Sequence, residues 1–181
     1  MAAGKLTLLS APREITVDTA GEIEVPKGVT LYLLPDTGNF TFNLRYPDSQ
    51  LLLRATIRAA GNQKPDLKTL VVHYASRTQA ETIVRTLSTD TAAPRYAGMI
   101  RIMPGAKLCE SYLSHHSLLI GTKSRSWSVP SLEIGNNEVK CSHAATLRTL
   151  TDTDLFYLRS RGLTRDKAEE ILINAFLENN H

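Results

Sequence analysis

The chain has 181 residues, 42% of them hydrophobic and 22% charged, with two cysteines and a formal net charge of +3. This is an ordinary globular composition, which excludes a disordered chain; Cys109 and Cys141 alone also exclude a disulfide scaffold. The small net charge selects no class of partner, but it is unevenly spread: residues 1–150 carry 17 basic and 12 acidic side chains, residues 151–181 carry 4 and 6, and all eight prolines lie at or before Pro130.

In chain order, the first ten residues hold one charge and no long apolar run. They fit neither a signal peptide nor a membrane span, which would need about 18 or more apolar residues. A cytoplasmic, reducing location with free thiols and no membrane partner is the expectation. From there to about residue 148 the dominant period is two. Apolar residues alternate at Leu6/Leu8, Ile15/Val17, Ile23/Val25, Val29/Leu31/Leu33, Phe40/Phe42/Leu44 and Leu51/Leu53. The pattern resumes at Leu70/Val72/Tyr74, Ile83/Arg85/Leu87, Ile100/Ile102, Leu132/Ile134 and Val139/Cys141. Turn residues such as Pro26-Lys27-Gly28, Pro104-Gly105 and Gly135-Asn136-Asn137 separate these runs. Many short strands with no helical segment between them predict a mainly β fold. A sandwich, a barrel and a β-helix all satisfy that pattern, and no exact repeat decides among them.

The last thirty residues change period. Thr151 and Asp154 form a capping box that opens a short helix ending near Gly162. Thr164 caps a second helix, whose Ala168, Ile171, Leu172, Ala175 and Phe176 keep helical spacing. The expectation is a β-helix, sandwich or barrel core over residues 1–148 followed by a helical hairpin over 149–181.

The chain has no P-loop, GxGxxG, HExxH, CxxC or GxSxG motif, so the common enzyme classes that these announce are not indicated. Chemistry-bearing residues concentrate between 109 and 146. Cys141 and His143 stand two apart on a predicted strand and share one face, roughly 6.5–7 Å apart at Cα. They either ligate one soft metal or pack side by side in a core; two local ligands fall short of a closed site. His115 and His116 are adjacent, so one faces in and the other out. Cys109 reads as a small apolar filler and Trp127 as core. Lys107, Lys123, Arg125 and Lys140 lack interleaved aromatics, which points to a solvated face and to no nucleic acid.

Three blocks then stand in one order: Pro130-Ser-Leu-Glu-Ile134, Val139-Lys-Cys-Ser-His-Ala-Ala-Thr146 and Leu155-Phe-Tyr-Leu-Arg-Ser-Arg-Gly-Leu163. With His115-His-Ser-Leu-Leu-Ile-Gly121 before them, they resemble the C-terminal signature of the SufB/SufD family, scaffolds of the SUF iron–sulfur assembly system, on the SufD side of that family. The resemblance covers residues from about 68 to 181. It implies a right-handed parallel β-helix followed by a small C-terminal α-helical hairpin, in a short form lacking the family's N-terminal helical domain. It also implies a scaffold that is not an enzyme, dimerises through its β-helix with a SufB-like partner or a second copy, and carries a transient iron–sulfur cluster.

By the same resemblance His143, Cys141 and His115 belong to the cluster-assembly and dimer interface, with His143 and Cys141 as transient metal ligands. His115 occupies the place of the SufB acceptor cysteine. The hairpin would dock a SufC-type ABC ATPase through Phe156, Tyr157, Arg159 and Arg161. Two readings stand beside this one: a stand-alone metal-binding or redox β-helix protein using Cys141 and His143, and a degenerate assembly or regulatory module.

Overall fold

A computed structural model describes residues 12–178. Eleven strands precede two helices: β1 (Arg13–Thr16), β2 (Gly21–Glu24), β3 (Gly28–Leu34), β4 (Gly38–Leu44), β5 (Ser49–Ala59), β6 (Asp66–His73), β7 (Gln79–Ser88), β8 (Arg95–Ile102), β9 (Glu110–Leu119), β10 (Trp127–Ile134), β11 (Lys140–Thr149), α1 (Asp152–Ser160) and α2 (Arg165–Glu178). Odd-numbered strands stack in the order β1-β3-β5-β7-β9-β11, and even-numbered strands as β2-β4-β6-β8-β10. Every pairing is parallel. The chain therefore winds between two facing sheets as a β-solenoid of about four turns, which resolves the choice that periodicity leaves open. The candidate strand at Leu6/Leu8 lies outside the described residues.

A repeat does exist, but in register rather than in residue identity. Leu53 pairs with Thr82, Thr82 with Leu113 and Leu113 with His143, in steps of 29, 31 and 30 residues. The earlier turns are shorter. Because side chains alternate sides along a strand, each register position becomes an inward column. One runs Ile15, Tyr32, Leu53, Thr82, Leu113, His143; the next runs Leu34, Ala55, Val84, His115, Ala145. On the opposite sheet Ile23, Phe42, Val71, Ile100 and Leu132 form the facing column. Tyr32 and Phe42 meet between the sheets with ring centroids 5.0 Å apart.

The alternating residues of three sequence segments occupy the outward phase instead. In β3 the inward residues are Thr30, Tyr32 and Leu34, not Leu31 and Leu33. In β6 they are Leu67, Thr69, Val71 and His73; in β7, Ala80, Thr82, Val84 and Thr86. In these strands Thr30, Thr69, Thr82 and Thr86 take inward positions beside larger core residues such as Tyr32, Leu53 and Val71, while Ile83 and Leu52, also buried, lie in the outward phase. Trp127, expected in the core, is 51% exposed. It begins β10 opposite Arg95, so it shares the outward phase, and Ser128, Pro130, Leu132 and Ile134 take the inward one.

The corners repeat with the turns. Asp48, Arg77 and Leu108 each turn one corner with left-handed backbone (φ 65°, 57° and 54°), after Gly28 at φ 88°. Gly61, Asp90 and Gly121 do the same at another (φ 61°, 57° and 85°). Non-glycine residues in that region carry a steric cost, offset here by local bonds. Arg77 forms a two-pronged pair with Asp48 at 2.8 and 2.9 Å, and the Asp90 carboxylate accepts the Gly61 N–H at 3.0 Å.

The C-terminal hairpin follows its sequence signals. Thr151 and Asp154 close the expected capping box, Gly162 ends the first helix with φ 91°, and the Thr164 hydroxyl accepts the Lys167 N–H. Neither helix is long and apolar enough to cross a membrane. Arg148 of β11 pairs with Asp154 and ties the hairpin to the last strand.

Candidate functional site

The last turn is where the inward columns open to solvent. Among the described residues β10 has a neighbour only in β8, and β11 only in β9, so each presents one unpaired edge. The inward face of β11 carries Cys141, His143, Ala145 and Leu147, in register with Ser111, Leu113, His115 and Ser117. Inward residues one turn earlier are buried, whereas His143 is exposed and Leu147 is 61% exposed. A core face this open is a surface that awaits a covering group.

Cys141 and His143 share one face, as their spacing predicts. Cys141 is half-buried against the core, and burial pushes its thiol up to about 11. At neutral pH it is a thiol, which a bound cation would have to deprotonate. His115 and His116 point to opposite faces, also as expected. His116 lies on the outer side, with Nδ1 2.8 Å from Thr146 Oγ1. His115 lies inside, 1% exposed, beneath Ala145. Its Nε2 sits 2.8 Å from Thr86 Oγ1 and 3.3 Å from Ser117 Oγ, and its ring meets Tyr96 edge-on at 4.9 Å. Its Nδ1 is buried with no hydrogen-bond partner.

The structure brings Cys141, His143 and His115 to one end of the solenoid without closing a site. Among the described residues no group of three His, Cys, Asp or Glu side chains converges on a metal position. The donor set of two imidazoles and a thiol nonetheless suits soft or borderline cations such as iron.

Cys109 does more than fill space. Fully buried, its sulfur lies 3.3 Å from Thr78 Oγ1, which lies 2.7 Å from His73 Nδ1; His73 Nε2 lies 3.1 Å from Ser111 Oγ. This hydrogen-bonded corner ends beside Cys141, the register partner of Ser111. Sequence reasoning missed His73, Thr78 and Ser111. For His73 the signal was the inward phase it shares with Leu67, Thr69 and Val71, rivalled by the outward pair Leu70/Val72; Thr78, in the corner before β7, and Ser111 on β9 carried none.

Burial holds both His73 and His115 down at about 4, for His115 with a contribution from His116. Each therefore binds its proton first in the unfolded chain, where the usual value is 6.5. Stability is full above about pH 6.5 and falls as the pH drops toward about 4, by on the order of 3 kcal/mol per histidine. The lowered carboxylates of Asp48, Asp90 and Asp154 act in a separate, more acidic window, below about their ordinary value of 3.8. Urea midpoints between about pH 7.5 and 4.5 are expected to fall steeply in the wild type and less steeply in His73→Gln. Equal slopes would show that His73 is not held neutral.

On the hairpin, Phe156 and Tyr157 are 71% and 64% exposed, and Arg161 lies over the Tyr157 ring at 5.4 Å. Arg159 is exposed on the same helix. Lys107, Lys123, Arg125 and Lys140 are all solvated, and Lys107 and Lys140 are paired with Glu138 and Glu110.

Comparison with known proteins gives one consistent result. The family model for "SUF system FeS cluster assembly, SufBD core domain" matches residues 37–176. The iron-sulfur cluster assembly protein SufD of Escherichia coli (strain K12) is 28% identical over 138 residues, 76% of this chain and 33% of that protein. A SufBD family protein of Mycobacterium tuberculosis (strain ATCC 25618 / H37Rv) is 30% identical over 120 residues, 66% of this chain and 14% of the relative. One from Synechocystis (strain ATCC 27184 / PCC 6803 / Kazusa) is 27% identical over 114 residues, 63% and 24% respectively. The chain thus spans a third or less of the length of these relatives.

Proposed function

Because the chain belongs to the SufBD family of SUF iron–sulfur cluster assembly, we propose that it acts as a SufD-like scaffold subunit. It pairs through its last turn with a SufB-like chain or a second copy, and it is coupled through its hairpin to a SufC-type ABC ATPase. It is not itself a catalyst. The cluster is cargo, held transiently by His143 and Cys141, with His115 behind them.

The observation that carries this reading is the open last turn. Free edges on β10 and β11 and an uncovered inward face at His143 and Leu147 occur together at one end. A partner seated there would continue both sheets and complete a donor set that one chain leaves short.

The proposed division falls at residue 148, with the β-helix core before it and the ATPase-docking segment after it. Phe156 and Tyr157 supply an apolar contact on α1, flanked by the cations Arg159 and Arg161. Anaerobic purification with a SufC-type ATPase and a SufB-like chain tests the proposal. A stable complex that accumulates cluster absorbance is expected. Absence of any complex with the ATPase would overturn the scaffold reading, and native iron or zinc retained one-to-one through purification by a chain that forms no such complex would favour a stand-alone metal protein instead.

A further inference from the structure

We infer that Thr86 is a positioning residue that presents His115 Nδ1 as a donor to the iron of the assembling cluster, so that the inner rung offers a metal ligand and no sulfur carrier. This rests on the scaffold reading above.

The molecule contains its own comparison. It buries two histidines inside the solenoid, both among hydroxyl side chains. His73 has both nitrogens engaged, Nδ1 with Thr78 and Nε2 with Ser111. That is how a purely structural buried imidazole is expected to look, since an unpaired polar atom in a core is costly. His115 has Nε2 engaged twice and Nδ1 not at all. The pattern of one nitrogen anchored and the other bare is that of a ligating histidine, whose second ring nitrogen is fixed by a neighbouring acceptor.

The direction of the bare nitrogen follows from ring geometry. The two nitrogen sites of an imidazole diverge in the ring plane. Thr86 lies on β7, on the side away from the open end, so a ring held there by Nε2 turns Nδ1 away from β7. On the other side the register neighbour is Ala145, a single methyl on the last strand. Tyr96 against the ring edge opposes rotation, and Ser117 is itself held by Ser126 at 2.9 Å. In the tautomer that carries its proton on Nε2, His115 donates to Thr86 Oγ1 and keeps the Nδ1 lone pair for a cation. Imidazole suits iron but has no sulfur to accept or pass on.

The test uses the full chain, anaerobically, with Co(II) as the optical probe and ¹⁵N-histidine NMR to identify the nitrogen involved. Cobalt is expected to shift His115 Nδ1. Thr86→Val, which removes the hydroxyl and little volume, is expected to weaken Co(II) binding about 10–100-fold, with Thr86→Ser restoring it. Unchanged affinity in Thr86→Val would overturn the positioning role. Cobalt shifts confined to His143 in the wild type would overturn the assignment of His115, whether or not the valine variant folds. Complex formation by Thr86→Val with the ATPase and the SufB-like chain reports separately on the scaffold reading.

Discussion

A chain carrying Leu147→Glu is expected to fold as a solenoid and to lose its SufB-like or identical partner. Leu147 lies on the inward face of β11, yet it is 61% exposed because no further turn covers it. In the isolated chain the substitution leaves a solvated carboxylate, and the change in stability should stay within about 0.5 kcal/mol. In an assembly that covers the last turn, the same carboxylate is buried without a cation. That costs roughly 3 kcal/mol or more, about a hundredfold in affinity. Sedimentation analysis checks the loss of association, and urea midpoints check the fold. Wild-type association by this variant would show that the last turn is not the interface.

His143→Ala is expected to reduce cluster formation below about a tenth of wild type in anaerobic reconstitution, with partner and ATPase still bound. His143 is the outermost imidazole on the open face, standing above Leu113, with no hydrogen-bond partner among the described residues that alanine would orphan. Stability should therefore change by less than about 1 kcal/mol. The expected loss falls on the iron–sulfur absorbance and not on assembly. Cluster yields equal to wild type would remove His143 from the site, whatever becomes of the interface.

Much of this was legible in the amino-acid sequence because a solenoid strand still obeys a two-residue period. The alternations at Phe40/Phe42/Leu44 and Ile100/Ile102 mark inward columns that the structure confirms. Thr151, Asp154, Gly162 and Thr164 mark the hairpin because caps are local, set by side chains within a few residues. Inward orientation was harder to read. In β7 the inward residues are Ala80, Thr82, Val84 and Thr86, smaller and more polar than outward Ile83. Size and hydrophobicity therefore point to the wrong face.

The site was legible in part for the same reason. The shared face of Cys141 and His143, and the split between His115 and His116, follow from alternation along one strand. Thr86 and Ser111 could not be found that way. They reach His115 and His73 across 29 and 38 residues of sequence, a separation that no local pattern encodes. Trp127 failed as a core residue because it takes the outward phase of β10, opposite Arg95, which a tryptophan's size does not reveal.

The ladder of left-handed corners has an evolutionary corollary. Asp48, Arg77 and Leu108 recur at the same angle of the coil, so the natural unit of length variation is the whole circuit. Adding or removing about thirty residues between equivalent corners returns every strand to its column. Deleting one residue within β9 would carry Ser111, Leu113 and His115 to the outside together and put Tyr112 and His116 in their place. Lineages of such a protein should therefore differ in multiples of a coil, with shorter gaps confined to the corners.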